Sequence, residues 1–110
     1  MVDPADFTAA IRHGARAGDP LVVVNVRADE ERNSRLVGFV VPKREIKRAN
    51  GRNRVKRQLR HLMRDRVADL PDGTRLVVRA SSKALGVPSK ELGAHLDRVM
   101  ERAWRKWDAR

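Results

Sequence analysis

The 110-residue chain contains no cysteine. Disulfide frameworks, thiolate zinc sites and cysteine nucleophiles are therefore excluded. No apolar run approaches the roughly 18 residues that would span a bilayer. The opening ten residues lack the basic-then-apolar layout of a signal peptide, which leads to the expectation of a soluble cytoplasmic protein. Aromatic residues are few, two Phe and two Trp with no Tyr. Acid is also scarce, with 14 Asp and Glu against 25 Lys and Arg, a net charge of +11. Apolar residues nonetheless make up 41% of the chain. That is the composition of a folded protein rather than of a solvated tail. One domain over residues 1–110 is expected, with enough chain for a modest core.

The positive charge is concentrated. Residues 1–42 carry a net −1 and residues 67–110 a net +3, whereas residues 43–66 carry a net +9. Solvated helix faces mix signs, because like charges four residues apart repel. A run this one-sided needs an external polyanion, so an RNA or DNA surface is the expected use.

Hydrophobic spacing divides the chain into short elements. Residues 4–16 read as a helix, with Asp3 as its cap, Pro4 in its first turn, and Phe7, Ala10 and Ile11 as a small apolar stripe ended by Gly14. The β-branched run 20–28 reads as a strand, and 35–41 as a second strand antiparallel to it, stopped by Pro42. Gly38 within it suggests a bulge or a close backbone approach. Residues 47–70 read as a long basic helix with Val55, Leu59, Leu62, Met63, Arg66 and Leu70 on its inner stripe. Gly73 suits a left-handed turn position. Residues 74–80 read as a strand and 81–88 as a loop. Ser89 is expected to cap a last helix that buries Leu92, Leu96, Val99, Ala103 and Trp107. Trp104 and Trp107 are read as packing residues. The expected fold is α+β, a two-layer α/β sandwich in the order α-β-β(-β)-α-β-α.

On the long helix, Asn53, Arg57, Arg60 and Arg64 fall on one ridge beside the apolar stripe. Guanidinium forks at that spacing suit successive phosphates, and Asn53 suits a base edge or a 2′-hydroxyl. Arg52 and Arg54 make the helix start basic all round. Arg66 lies within the stripe and is read as a packed stem.

Residues 49–60, Ala-Asn-Gly-Arg-Asn-Arg-Val-Lys-Arg-Gln-Leu-Arg, resemble the arginine-rich signature of the bacterial ribonuclease P protein component, matching each of its fixed positions. Val37-Gly38-Phe39 followed by Lys43-Arg44 is similar to that family's Val-Gly-Leu strand and paired basic residues. Asp6-Phe7 with Arg12-His13-Gly14 is similar to its first helix, and Val78-Arg79-Ala80 to its late strand. The chain departs from the family at Glu45-Ile46-Lys47-Arg48, which has no glycine, and in lacking most of the basic leader before the first helix.

The resemblance implies a ribonucleoprotein endonuclease that removes the 5′ leader of precursor tRNA, with the active site and its Mg2+ in the RNA subunit. The implied partners are the catalytic RNA, one protein per RNA, and precursor tRNA. RNA contact is implied for Arg52, Asn53, Arg54, Lys56, Arg57, Arg60 and Arg64. A leader cleft is implied between the first helix and the sheet, at Phe7, Ile11, Val24, Lys43 and Arg79. A left-handed βαβ crossover is likewise implied.

No catalytic or metal-binding residue of the protein is expected. His13, His61 and His95 lie far apart on separate predicted helices, no carboxylate pair stands out, and Ser81-Ser82-Lys83 lacks supporting partners. Two other classes remain to be distinguished. A ribosomal or nucleoid-type binding module would not raise precursor-tRNA cleavage. A nuclease with its own centre would cut RNA unaided.

Overall fold

A computed structural model describes residues 13–29 and 34–110. Four strands form one sheet: β1 (Ala15–Gly18), β2 (Val22–Ala28), β3 (Leu36–Val40) and β4 (Thr74–Ala80), in the spatial order β1-β2-β4-β3. Two long helices accompany it, α1 (Ala49–Arg64) and α2 (Ser89–Asp108). The described order is thus β-β-β-α-β-α, the α+β arrangement expected. The helix expected over residues 4–16 falls largely outside the described residues. Its last two positions, Ala15 and Arg16, open β1 instead.

Alternation decides which strand residues reach the helices. Val22, Val24 and Val26 of β2 and Leu76, Val78 and Ala80 of β4 are buried in the same cluster as Val55, Leu59 and Met63 of α1 and Leu92, Leu96 and Val99 of α2. Ala15 and Ala17 bring the same face of β1 under α2 with minimal bulk. Asn25, Arg75 and Val77 have the opposite parity and lie on the other face of the sheet.

The second expected strand is not antiparallel to the first. β3 pairs in parallel with β4, and β4 separates it from β2. The reason is burial: six of seven β4 residues are buried, so β4 takes a central position. The chain between β3 and β4 then crosses over through α1. The β3–β4 register is unbroken from Leu36↔Arg75 to Val40↔Arg79, so Gly38 marks no bulge.

The basic helix is shorter than its apolar periodicity predicts. It ends at Arg64, and the stripe continues over a short 3-10 turn, Val67–Asp69, to the buried Leu70. Gly73 adopts a φ of 80°, as its turn requires. Ser89 is the first residue of α2 rather than its cap; Pro88 occupies that place. The Ser89 hydroxyl instead accepts from Gln58 Nε2 at 3.2 Å. Trp107 is half-buried.

The two helices cross at Gly93. A Cβ there would stand 3.1 Å from Leu62 Cδ2 and 3.2 Å from Arg66 Nη2, so the hydrogen side chain is what permits the approach. Arg66 then bonds Asp97 of α2 through Nε at 2.6 Å and Nη2 at 3.1 Å. This pairing raises the guanidinium pKa against the opposing effect of burial. On the other flank of α2, Arg102 Nη1 and Lys106 Nζ donate to the carbonyls of Gly18 and Arg16 on the open edge of β1. Such contacts occupy an edge that would otherwise pair with another chain.

Candidate nucleic-acid interface

The α1 helix is anchored along one side and bare along the other. Val55 and Leu59 are fully buried and Met63 nearly so. Gln58 reaches across to donate to the Val87 carbonyl at 2.9 Å. Asn53, Arg54, Arg57, Arg60 and Arg64 are all exposed. None of these five side chains makes a hydrogen bond or ion pair with another of the described residues. A rise of about 1.5 Å per residue spreads the ridge from Asn53 to Arg64 over roughly 16 Å of helix axis.

The start of α1 adds to the positive potential. Arg48 at the N-cap offers no side-chain cap, and the first turn contains no acid. The uncapped backbone N–H groups therefore face outward beside basic side chains. Arg52 is placed differently from its neighbours. Its Nη1 donates to the carbonyls of Ile46 at 2.9 Å and Lys47 at 2.7 Å, so half of its fork secures the turn that leads into the helix. That turn contains the unusual Glu45-Ile46 pair. Ile46 is buried, and Glu45 accepts from the Ser82 backbone N–H at 3.2 Å. Lys56 is half-buried. Arg66, as read from its place in the stripe, is committed to the fold.

A second surface lies on the sheet face turned away from α1 and α2. Arg16, Val23, Asn25, Val40, Val77 and Arg79 line a cavity of about 150 Å³. Register brings them together: Arg16 is opposite Asn25, Asn25 opposite Val77, and Arg79 opposite both Val23 and Val40. Asn25 is 7% exposed, and its Oδ1 has no hydrogen-bond partner. An unsatisfied buried amide oxygen is costly to the fold.

Of the expected cleft residues, Arg79 belongs to this cavity. Val24 does not. It is 0% exposed and faces the helices, because a one-residue shift along a strand reverses the face. Asn25 and Val23 are the β2 residues that face the cavity. Lys43 is exposed in the turn after β3 and does not line this cavity, whereas Arg44 lines an adjoining depression together with Arg79. Phe7 and Ile11 lie outside the described residues. Sequence reading missed Arg16, Asn25 and Arg44. The strand pattern could have identified Asn25 as the one polar residue within Val22–Val26.

The histidines do not converge. His13 and His61 are exposed, and His95 Nδ1 lies 2.7 Å from Asp19 Oδ2. Burial raises the Asp19 pKa, but hydrogen bonds from the Val22 N–H, from His95 and from the Leu21 N–H outweigh it and hold the carboxyl below its ordinary range. Ser81 is used in a turn, its hydroxyl donating to the Pro20 carbonyl and accepting from the Lys83 N–H. Among the described residues, no group of three His, Asp or Glu side chains is arranged to hold a metal ion. Nor is any helix among them long and apolar enough to cross a membrane.

The arrangement agrees with comparisons to known proteins. The family model for Ribonuclease P matches residues 1–104. The Ribonuclease P protein component of Streptomyces avermitilis is 45% identical over 105 residues, covering 88% of this chain and 85% of that protein. The same component of Kocuria rhizophila is 46% identical over 92 residues, covering 84% and 80%. In fold, the chain superposes on the RNase P protein of Staphylococcus aureus with a TM-score of 0.81 at 21% identity, covering 94% and 93%. A structure of the RNase P protein from Thermotoga maritima in complex with 1-(4-fluorophenyl)-2-thiourea gives 0.74 at 26% identity, covering 88% and 92%. A matched family model across nearly the whole chain, relatives of similar length and the same fold together show that this chain belongs to the ribonuclease P protein component family.

Proposed function

We propose that the chain is the protein subunit of a ribonuclease P ribonucleoprotein, holding the catalytic RNA on α1 and the 5′ leader of precursor tRNA on the sheet face turned away from α1 and α2. The observation that carries this reading is the ridge of Asn53, Arg57, Arg60 and Arg64, exposed and unpartnered among the described residues on a helix whose opposite side is locked into the core. The rigid rod fixes the spacing of the guanidinium groups, and no internal ion pair has to break before they meet phosphates. Arg54, Lys56 and the free half of the Arg52 fork extend that contact around the helix start.

On the sheet face, Val23, Val40 and Val77 supply apolar walls for a base, and Arg16 and Arg79 supply charge for its phosphates. The family resemblance adds Phe7 and Ile11 to the leader contact, and both lie outside the described residues.

In this reading the Mg2+ of the reaction belongs to the RNA subunit, as the family resemblance implies. When bound there, it supplies the activation of water and the stabilisation of the leaving oxygen. The protein lowers the electrostatic cost of assembling the RNA around its substrate, with one protein per RNA.

The test is reconstitution with the ribonuclease P RNA of a close relative. Cleavage of precursor tRNA at low magnesium should require the protein, and protein alone should cut nothing. Equal cleavage by RNA alone under those conditions would exclude the subunit role. Cleavage by protein alone, lost with one His or carboxylate substitution, would point to a nuclease instead. Asn25→Ala should weaken binding of precursor tRNA with a long leader and spare one with a very short leader.

A further inference from the structure

His61 lies in the last turn of α1, is exposed, and counts as neutral in the net charge of +11. Arg57 stands one turn before it and Arg64 one turn after it, at the four- and three-residue spacings that share a helix face. At about 100° per residue, the imidazole projects within roughly 60° of Arg54, Arg57 and Arg64. It therefore belongs to the surface that the guanidinium ridge presents.

His61 makes no hydrogen bond or ion pair among the described residues. The charged groups around it are not committed to it either. Asp65, at the end of α1, and Asp69, in the 3-10 turn that follows, are exposed and unpaired among the described residues. On α2, which crosses α1 at Gly93, Asp97 is held by Arg66. Lys90 and Glu91 are exposed there without a partner among the described residues. β3 turns only Val37 and Phe39 towards the helices. The other imidazoles lie off α1: His95 is bonded to Asp19, and His13 precedes β1.

Imidazole is the side chain whose charge changes between pH 5 and 8. RNA backbone phosphates keep their charge over that range. A strand seated along the ridge brings negative charge against a ring that can take up a proton, and an opposite charge nearby favours the charged form. The last turn works in the same direction, because the C-terminal end of the helix dipole is negative.

We propose that His61 is a further contact to RNA phosphate and makes that contact as the imidazolium, so that assembly with the catalytic RNA takes up a proton and tightens in mild acid. This rests on the reading of α1 as the RNA-binding helix. It adds a dependence on pH that the arginines, charged throughout, do not supply.

The test is fluorescence anisotropy of the full-length protein with the ribonuclease P RNA of a close relative, at fixed ionic strength, between pH 8 and pH 5.5. Wild-type affinity should rise about three- to tenfold on acidification, the size expected for one proton taken up on binding. His61→Gln should lose most of that rise and keep the wild-type salt slope at pH 8. His61→Arg should bind at pH 8 about as tightly as wild type does at pH 5.5, with little pH dependence. Both variants alter an exposed side chain, so their circular dichroism spectra should match wild type. The glutamine variant leaves His13, His95 and the bases of the RNA free to titrate, so it isolates His61 from them. A rise of equal size in wild type and His61→Gln would overturn the proposal, as would wild-type affinity that does not change with pH. Failure of wild type to bind the RNA at any pH would refute the subunit reading, and this proposal with it.

Discussion

Truncating Arg57 and Arg60 together to Ala removes two guanidinium groups from the middle of the α1 ridge. Both are exposed and neither side chain bonds to the rest of the described chain, so the folded protein loses nothing that holds it together. The thermal midpoint and far-UV circular dichroism should stay at wild-type values. Each phosphate contact contributes about −0.7 to −0.9 to the slope of log affinity against log salt, the range from single strands to duplex. Loss of two contacts should flatten the slope by roughly 1.4 to 1.8. Between about 1 M and about 0.15 M salt, that difference accumulates to roughly 15- to 30-fold in affinity, with the variant weaker at the lower concentration. The assay is filter binding or fluorescence anisotropy with the ribonuclease P RNA over a salt series. A wild-type slope in the double variant would refute phosphate contact by these residues. A loss of the same size at every salt concentration, accompanied by a lower melting temperature, would show that they act on the fold.

Two further outcomes test the scaffold that presents the ridge. Gly93→Val should destabilise the protein by about 1–3 kcal/mol, the usual cost of overpacking, because even a Cβ meets Leu62 and Arg66 at 3.1 and 3.2 Å. Unchanged stability in chemical denaturation would contradict the close crossing of α1 and α2. Asp19→Asn should lower stability at neutral pH, since the Asp19 carboxylate holds the backbone N–H groups of Leu21 and Val22 and pairs with His95. The folded-state pKa of Asp19 is depressed, so its ionised form stabilises the protein above the ordinary carboxylate pKa. That contribution fades as pH falls from about 4 through the folded value. The gap between wild type and variant should therefore close in acid, and a gap that persists at pH 2–3 would contradict it.

Local chemistry makes the basic ridge legible in the sequence. Helical periodicity depends on neighbours three and four residues apart, so the separation of Val55, Leu59 and Met63 from Asn53, Arg57, Arg60 and Arg64 is written within a single segment. The last strand is equally plain, because Thr74–Ala80 is rich in β-branched residues and bounded by turn residues. Strand pairing is not legible in this way. The run at 35–41 has the same pattern whether it pairs with β2 or β4, and only the burial demanded of β4 moves it to the far edge. The β2 residue that lines the sheet-face cavity escapes a linear reading for a related reason. Val22 to Val26 is apolar at every position except Asn25, so apolar patterning alone does not say which parity faces the helices. That assignment comes from the registers with β1 and β4, which put Val24 in the core and Asn25 in the cavity.

An acidic cavity between α2 and the turn before β4, lined by Asp69, Asp72, Asp97, Glu101 and Asp108, is only partly legible in a linear reading. Asp97, Glu101 and Asp108 belong to α2, whose net charge is +1, whereas Asp69 and Asp72 belong to the turn before β4. Charge density along a chain records neighbours in sequence, whereas electrostatic potential depends on distance in space. The sequence by itself therefore determined the basic helix and the polyanionic class of partner its charge calls for. The tertiary structure decided which side chains oppose that charge, because only the packing of α2 against the turn before β4 brings Asp69 and Asp72 beside the carboxylates and tryptophans of α2.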